Sequence, residues 1–212
     1  MNYGFTPSKL DGTENIIDNM KDYKSLDIPD SYSYEKFLSR AKDQGSNPTC
    51  VPYAISTIIE WKNNMNGIKN NDLSIDWLFS QRENKDIDGM SIKEALNILK
   101  NIGYVTTKDY KKTNNINGEK INFYGKLVSY IFMKKSLIAN GPFIVALPVY
   151  NLDSVDFWNG SSFQGGHALV CIGYNNEGLI LRNSWGCSWG NNGNTVLLYN
   201  DCDKIIEAWA II

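Results

Sequence analysis

The chain has one histidine among its 212 residues, His167, in the segment Gly165-Gly166-His167-Ala168 at the head of an apolar run. Imidazole is the side chain whose ordinary pKa suits proton transfer near neutral pH, so there is one candidate for that work. Beside apolar residues alone, it reads as a core side chain. Its company changes that reading. The loop Asp43-Gln44-Gly45-Ser46-Asn47-Pro48-Thr49 ends in Cys50, and sixteen residues beyond His167 stands Asn183, in Asn183-Ser184-Trp185-Gly186-Cys187-Ser188-Trp189-Gly190. A thiol, an imidazole and an amide are the parts of a nucleophilic triad. A thiol with the ordinary pKa of about 8.5 is mostly protonated at neutral pH, so a nucleophilic cysteine needs help to hold a thiolate. The positive end of a helix and an imidazolium neighbour both supply it.

Elements to position these groups are legible. Pro52 suits a first helical turn, Ile55, Ile58 and Ile59 recur at helical spacing, and Gly67 punctuates the far end, so a helix is expected to start at Cys50. Further helices are expected over 75–81, over 91–101 before Gly103, and over 126–140. Strands are expected over 143–147, 168–174, 179–183, 195–199 and 208–212, as short apolar or β-branched runs between Gly/Asn turns. Helices first and strands second predict an α+β chain of two lobes with a cleft between them. Residues 1–26 carry Gly4, Pro7 and Gly12 and no sustained period, so they read as an extended arm with room for a short helix over 14–23. One domain is expected over 27–212, mainly helical over about 27–115 and mainly β over about 116–212.

Bulk properties exclude several classes. A net charge of −2 offers no basic surplus for nucleic acid or an anionic membrane. No apolar run approaches the roughly 18 residues of a membrane span, and no signal peptide is visible. The cysteines Cys50, Cys171, Cys187 and Cys202 have no metal-finger spacing and one histidine to share, so neither a metal site nor a cofactor is expected. Cys171 reads as a buried small hydrophobe, and Cys187 and Cys202 are free to pair or not. Sparse cysteines favour a reducing compartment, the cytoplasm, with a secreted or virion-associated protein as the open alternative.

Taken together, the Gln44–Cys50, Gly165–Ala168 and Asn183–Gly190 segments resemble the papain-like cysteine peptidases, over about residues 28–212. Gly141-Pro142-Phe143 before a strand and Gly89 before a helix resemble two further family features. The resemblance implies a papain-like two-lobed fold, with a helical N-terminal lobe, an antiparallel β-barrel-like C-terminal lobe and an active-site cleft between them. It implies a cysteine endopeptidase acting on peptide or protein substrates through an acyl-thioester. Cys50 is then the nucleophile, His167 its partner and Asn183 the group that orients the imidazole. The Gln44 side chain and the Cys50 backbone N–H form the oxyanion hole, and Trp185 shields the His167–Asn183 bond. Gly89, Met90, Gly165, Gly166 and Glu207 line the substrate site, with the two glycines leaving a roomy S2 pocket. Glu207 aligns with the carboxylate at the base of that pocket in cathepsin B, which implies acceptance of Arg or Lys at P2. A protein inhibitor of the cystatin type is an implied partner; the oligomeric state is not legible.

Departures from the pattern matter too. Val51 stands where tryptophan usually follows the nucleophile, and Asn47-Pro48-Thr49 replace a Cys-Gly-Ser run, so the usual lobe disulfide lacks its first cysteine. These changes motivate one alternative, a catalytically weak homologue that binds peptides or proteins in the same cleft. A second alternative, a transglutaminase-like or amidase chemistry, usually has an aspartate in the third position. Family pro-segments are much longer than residues 1–26, which are expected either to strap the lobes together or to lie across the cleft.

Overall fold

The computed structural model describes residues 4–19, 23, 25–68, 72–110 and 118–212. Two blocks follow each other along the chain. The first holds helices α1 (Cys50–Met65), α2 (Ile75–Ser80), α3 (Ile92–Asn101) and the single turn α4 (Thr107–Tyr110), preceded by a two-residue strand β1 (Tyr32–Ser33). The second holds β2 (Tyr124–Leu127), α5 (Tyr130–Asn140), β3 (Phe143–Val149), β4 (Gly165–Tyr174), β5 (Gly178–Arg182), β6 (Asn194–Leu198) and β7 (Glu207–Ile211). The chain is α+β, with an antiparallel sheet in the order β2-β7-β3-β4-β5-β6 and β1 added to β4.

Helix starts follow local chemistry. Ser74 accepts from the Trp77 N–H and Ser91 from the Glu94 N–H, each satisfying one of the four donors that a helix start leaves over. The start of α5 is different. Ser129 makes no side-chain cap; the carboxylate of Asp18, 111 residues earlier in the chain, accepts from the Ser129 N–H at 2.8 Å and from the Val128 N–H at 3.2 Å. That distant cap begins α5 at Tyr130, leaving Tyr124–Leu127 to pair with β7. The helix expected over 126–140 is therefore too long at its start, because its first residues are a strand whose partner lies at the far end of the sequence.

All seven residues of β3 are buried, and alternation divides them between two cores. Ile144 and Ala146 face one side with Ala168, Val170 and Ile172 of β4, against Val51, Ala54, Ile55, Ile58 and Ile59 of α1. Phe143, Val145, Leu147 and Val149 face the other, with Leu169, Cys171, Leu179 and Leu181, against Met133 and Leu137 of α5. Fully burying each isoleucine of α1 stabilises the fold by about 1.5–3 kcal/mol, and Ile55→Asp would set a charge where the helix meets the sheet. This seam fixes Cys50, at the head of α1, over β4.

Residues 4–19 hold one helical turn at Ile17–Asn19, within the short helix expected over 14–23, of which residues 20–22 lie outside the described residues. All four cysteines are free, with Cys171 buried and Cys187 and Cys202 partly exposed.

Candidate active site

Cys50 is the first residue of α1, and no acidic residue occupies the first turn to neutralise its positive end. Its sulfur accepts from the Ala168 N–H at 3.4 Å, which brings the thiol to the residue next to His167. Register places His167 opposite Leu147, on the face of β4 turned toward the second core. There its Nε2 lies 2.7 Å from Asn183 Oδ1, in a buried bond.

The orientation of that amide is fixed independently of the histidine. Asn183 Oδ1 also accepts from the Ser184 backbone N–H at 2.7 Å, and a backbone N–H can only donate. The atom facing Nε2 is therefore oxygen, Nε2 carries the hydrogen, and Nδ1 is the nitrogen that exchanges a proton. Trp185 stacks on the imidazole with ring centres 4.5 Å apart and 27° between planes, and Phe157 meets it edge-on at 5.7 Å. Low local dielectric strengthens the bond these rings cover. Trp189 packs at right angles against Trp185, as a supporting ring.

The Gln44 side chain is held from two sides. Gln44 donates one amide hydrogen to Asn47 O at 2.8 Å, which leaves the second for a substrate oxygen. Its Oε1 accepts from Ser184 Oγ at 2.6 Å, and its backbone N–H donates to Ser184 O at 2.9 Å. Ser184 thus grips Gln44 with its hydroxyl and Asn183 with its backbone, joining the candidate oxyanion donor to the amide that faces His167. Its position between Asn183 and Trp185 was the available signal, and a serine in a turn is too common to carry one. The loop itself is held by Glu60 of α1, whose carboxylate accepts from the Ser39 N–H at 2.6 Å and pairs with Lys42 at 3.1 Å.

What fills the cleft is the chain's own arm. Gly4 and Thr6 exchange backbone bonds with Met90, at 2.9 and 3.1 Å, and Phe5 bridges Met90 on the helical side and Gly166 on the sheet side. A Cβ on Gly4, which has φ +88°, would come within 2.8 Å of the Pro48–Thr49 backbone, so glycine alone passes beside the nucleophile's loop. A Cβ on Gly166 would sit 2.4 Å from the Phe5 ring. The space over Gly166, part of the pocket expected to be roomy, is taken by Phe5, which is 7% exposed.

Gly89 and Met90 thus line the arm's path, and so does Glu207. Buried at 5% exposure, Glu207 accepts from the Ser8 N–H and hydroxyl at 3.1 and 3.0 Å, and from Trp209 Nε1 at 2.7 Å. Cys50 is fully buried, in the same core cluster as Phe5 of the arm. Burial pushes its thiol up to about 12, against the Ala168, Val51 and Cys50 N–H donors that pull it down. Burial under these conditions favours the neutral thiol.

The chain's relatives share this architecture. The structure resembles xylellain, a cysteine protease from Xylella fastidiosa, with a TM-score of 0.77 over 99% of this chain and 95% of that one, at 18% identity. It resembles procathepsin B S9 from Trypanosoma congolense with a TM-score of 0.76 at 15% identity, over 99% and 85% of the two chains. In sequence it is 28% identical to cysteine proteinase RD21A of Arabidopsis thaliana over 79% of this chain and 42% of that protein. It is 26% identical to the KDEL-tailed cysteine endopeptidase CEP2 of the same plant, over 82% of this chain and 55% of the other. The chain thus spans about half the length of these two curated relatives. The model of the family described as papain family cysteine protease matches residues 24–208, and the chain belongs to that family.

Proposed function

We propose that the chain is a cysteine endopeptidase that hydrolyses peptide bonds in extended peptide or protein substrates. The observation that carries this reading is the buried 2.7 Å bond from His167 to an Asn183 oxygen whose orientation Ser184 fixes, beside a thiol at a helix start. A neutral amide behind the imidazole orients it without withdrawing its charge, which suits an imidazolium standing beside a thiolate.

The steps follow from the groups in place. With the arm lifted, the Cys50 proton passes to His167 Nδ1, and the thiolate attacks the substrate carbonyl carbon. The oxyanion that forms receives the second Gln44 amide hydrogen and the Cys50 N–H. As the C–N bond breaks, His167 returns the proton to the leaving amine, and a thioester remains on Cys50. His167 then takes a proton from water, whose oxygen attacks the thioester; the carboxylic acid leaves and the proton returns to sulfur. Replacing Cys50 by Ala is expected to abolish hydrolysis of a peptide library and labelling by an epoxide inhibitor. Equal hydrolysis by both chains would sink the reading.

Glu207 carries a finer reading, acceptance of Arg or Lys at P2. In support, two of its three hydrogen-bond donors belong to the arm and leave with it, and a cationic side chain would replace them. Comparing P2-Arg and P2-Leu peptides on the wild type and Glu207→Gln tests it; an unchanged ratio would count against the role. A protein inhibitor of the cystatin type is a further proposed partner of this cleft. A reducing compartment such as the cytoplasm fits a chain whose partly exposed Cys187 and Cys202 are both unpaired.

A further inference from the structure

We propose that residues 4–19 form a hinged plug retained in the folded protein: Asn15–Asn19 is a permanent part of the β lobe, while Gly4–Ser8 lifts reversibly out of the cleft when a latch on Lys93 lets go. The consequence for activity rests on the peptidase reading above.

The two ends of this segment are held by different kinds of contact. At Asn15–Asn19 the contacts belong to the fold. Ile17 is completely buried in the second core, Asn15 O accepts from the Lys126 N–H at 2.7 Å, and Asp18 caps the start of α5. Nothing in solvent replaces an isoleucine in that core. At Gly4–Ser8 the contacts are of the kind a bound peptide can also make: two backbone bonds to Met90, the Ser8 bonds to Glu207 and from the Lys93 N–H, and the Phe5 ring buried over Gly166 at the edge of the first core.

Between plug and anchor lies the latch. Asp11 and Glu14 close a turn on themselves, with the Asp11 and Gly12 N–H groups donating to Glu14 and the Thr13 N–H to Asp11. Both carboxylates grip Lys93 Nζ, at 3.1 and 2.6 Å. Lys93 is the second residue of α3, where a cation opposes the helix dipole, so the arm's two acids offset an unfavourable placement. Gly12, at φ +81° with nothing within 4 Å of a built Cβ, lets this turn pivot in open solvent. Thr6, Pro7, Lys9 and Asp11 wall a cavity of about 610 Å³ against Asn97 and Ile98 of α3. The plug is thus supported at its ends and open to water along its middle. Opening exposes Cys50 without breaking a covalent bond, and the observed activity is the intrinsic one multiplied by the open fraction.

The test compares the full 212-residue chain with Phe5→Ala, Lys93→Gln and Ile17→Ala. Three quantities are read: the rate at which iodoacetamide alkylates Cys50, with the partly exposed Cys187 as internal reference; peptide hydrolysis; and intact mass. Loss of the phenyl ring is expected to speed Cys50 alkylation about tenfold or more, and Lys93→Gln to speed it by a smaller factor, with Cys187 unchanged and every intact mass preserved. Ile17→Ala is expected to lower the melting temperature, and Phe5→Ala to leave it nearly unchanged. Equal Cys50 rates in wild type, Phe5→Ala and Lys93→Gln would overturn the proposal. So would hydrolysis that begins only once the intact mass has fallen by loss of the first residues. If Cys50 becomes accessible as described and no chain hydrolyses peptides, the plug stands and the peptidase reading falls.

Discussion

On one wall of the cleft, Cys50 and Gln44 sit where a loop runs into a helix; on the other, His167 and Asn183 sit on and beside paired strands. Register fixes the second wall. His167 is opposite Leu147, both faces of β3 and β4 are buried, and a slip of one residue would turn the imidazole to the wrong core. The loop wall has no ladder of its own. It takes its geometry from the sheet wall through Gln44 N–H to Ser184 O, Gly186 N–H to Lys42 O and Ser184 Oγ to Gln44 Oε1. The departures from the family pattern, Pro48, Thr49 and Val51, all lie on the loop wall. A wall positioned from outside tolerates changes in its own residues better than one positioned by pairing.

Three substitutions break or sharpen this contrast. The largest effect is expected for Gln44→Ala, which removes the proposed oxyanion donor and should lower kcat by about 10²–10³ with KM little changed. Steady-state kinetics on one peptide checks it, and a change confined to KM would assign Gln44 to substrate binding instead. Ser184→Ala comes next. It leaves Gln44 Oε1 buried without its donor, which should lower unfolding stability by about 1–3 kcal/mol in denaturant titration and lower kcat by less than Gln44→Ala does. Because Ser184 acts on the oxyanion donor through Gln44, the double variant should fall no further in kcat than Gln44→Ala alone; full additivity would separate the two walls.

The smallest effect belongs to Glu60, behind the loop. Burial raises its pKa, but Lys42 and the Ser39 N–H outweigh that, so the folded value lies below the ordinary one. The stability it contributes is therefore present above the ordinary glutamate value of about 4.3 and is lost as pH falls through the folded value. Melting temperatures measured from neutral pH down through that range should fall less steeply for Glu60→Gln than for the wild type. Parallel curves would remove Glu60 from the support of the loop.

Much of the machinery is legible because its signals are local. Pro52 and the isoleucine spacing announce α1, Ser74 and Ser91 cap their helices within three residues, and the apolar runs at 143–147 and 168–174 read as strands, which pairing extends to 143–149 and 165–174. What the sequence hides is held from afar. β2 is a strand because β7 lies beside it, α5 starts where Asp18 reaches it, and β1 is two residues laid on β4. The arm shows no period because its partners Met90, Lys93, Lys126, Gly166 and Glu207 lie on separate elements, so no repeat in the arm's own residues could match them. Gly4 before Phe5 was its one local mark, a residue without a side chain preceding the ring that enters the cleft. Within residues 1–26, expected to lie across the cleft or strap the lobes, Gly4–Ser8 runs between Met90 and Gly166 and Asn15–Asn19 is held against β2 and α5.

The solitary histidine has a spectroscopic consequence. Every imidazole resonance in a proton spectrum of this protein comes from one ring, with no selective labelling needed. Its Nε2 hydrogen, bonded to Asn183 and shut in by Trp185, should exchange slowly and appear far downfield, while the stacked indole shifts the ring's carbon-bound protons upfield. Movement of Phe5 out of the cleft, ionisation of the Cys50 pair and loss of the Ser184 hold on Asn183 would each be read from the same few lines.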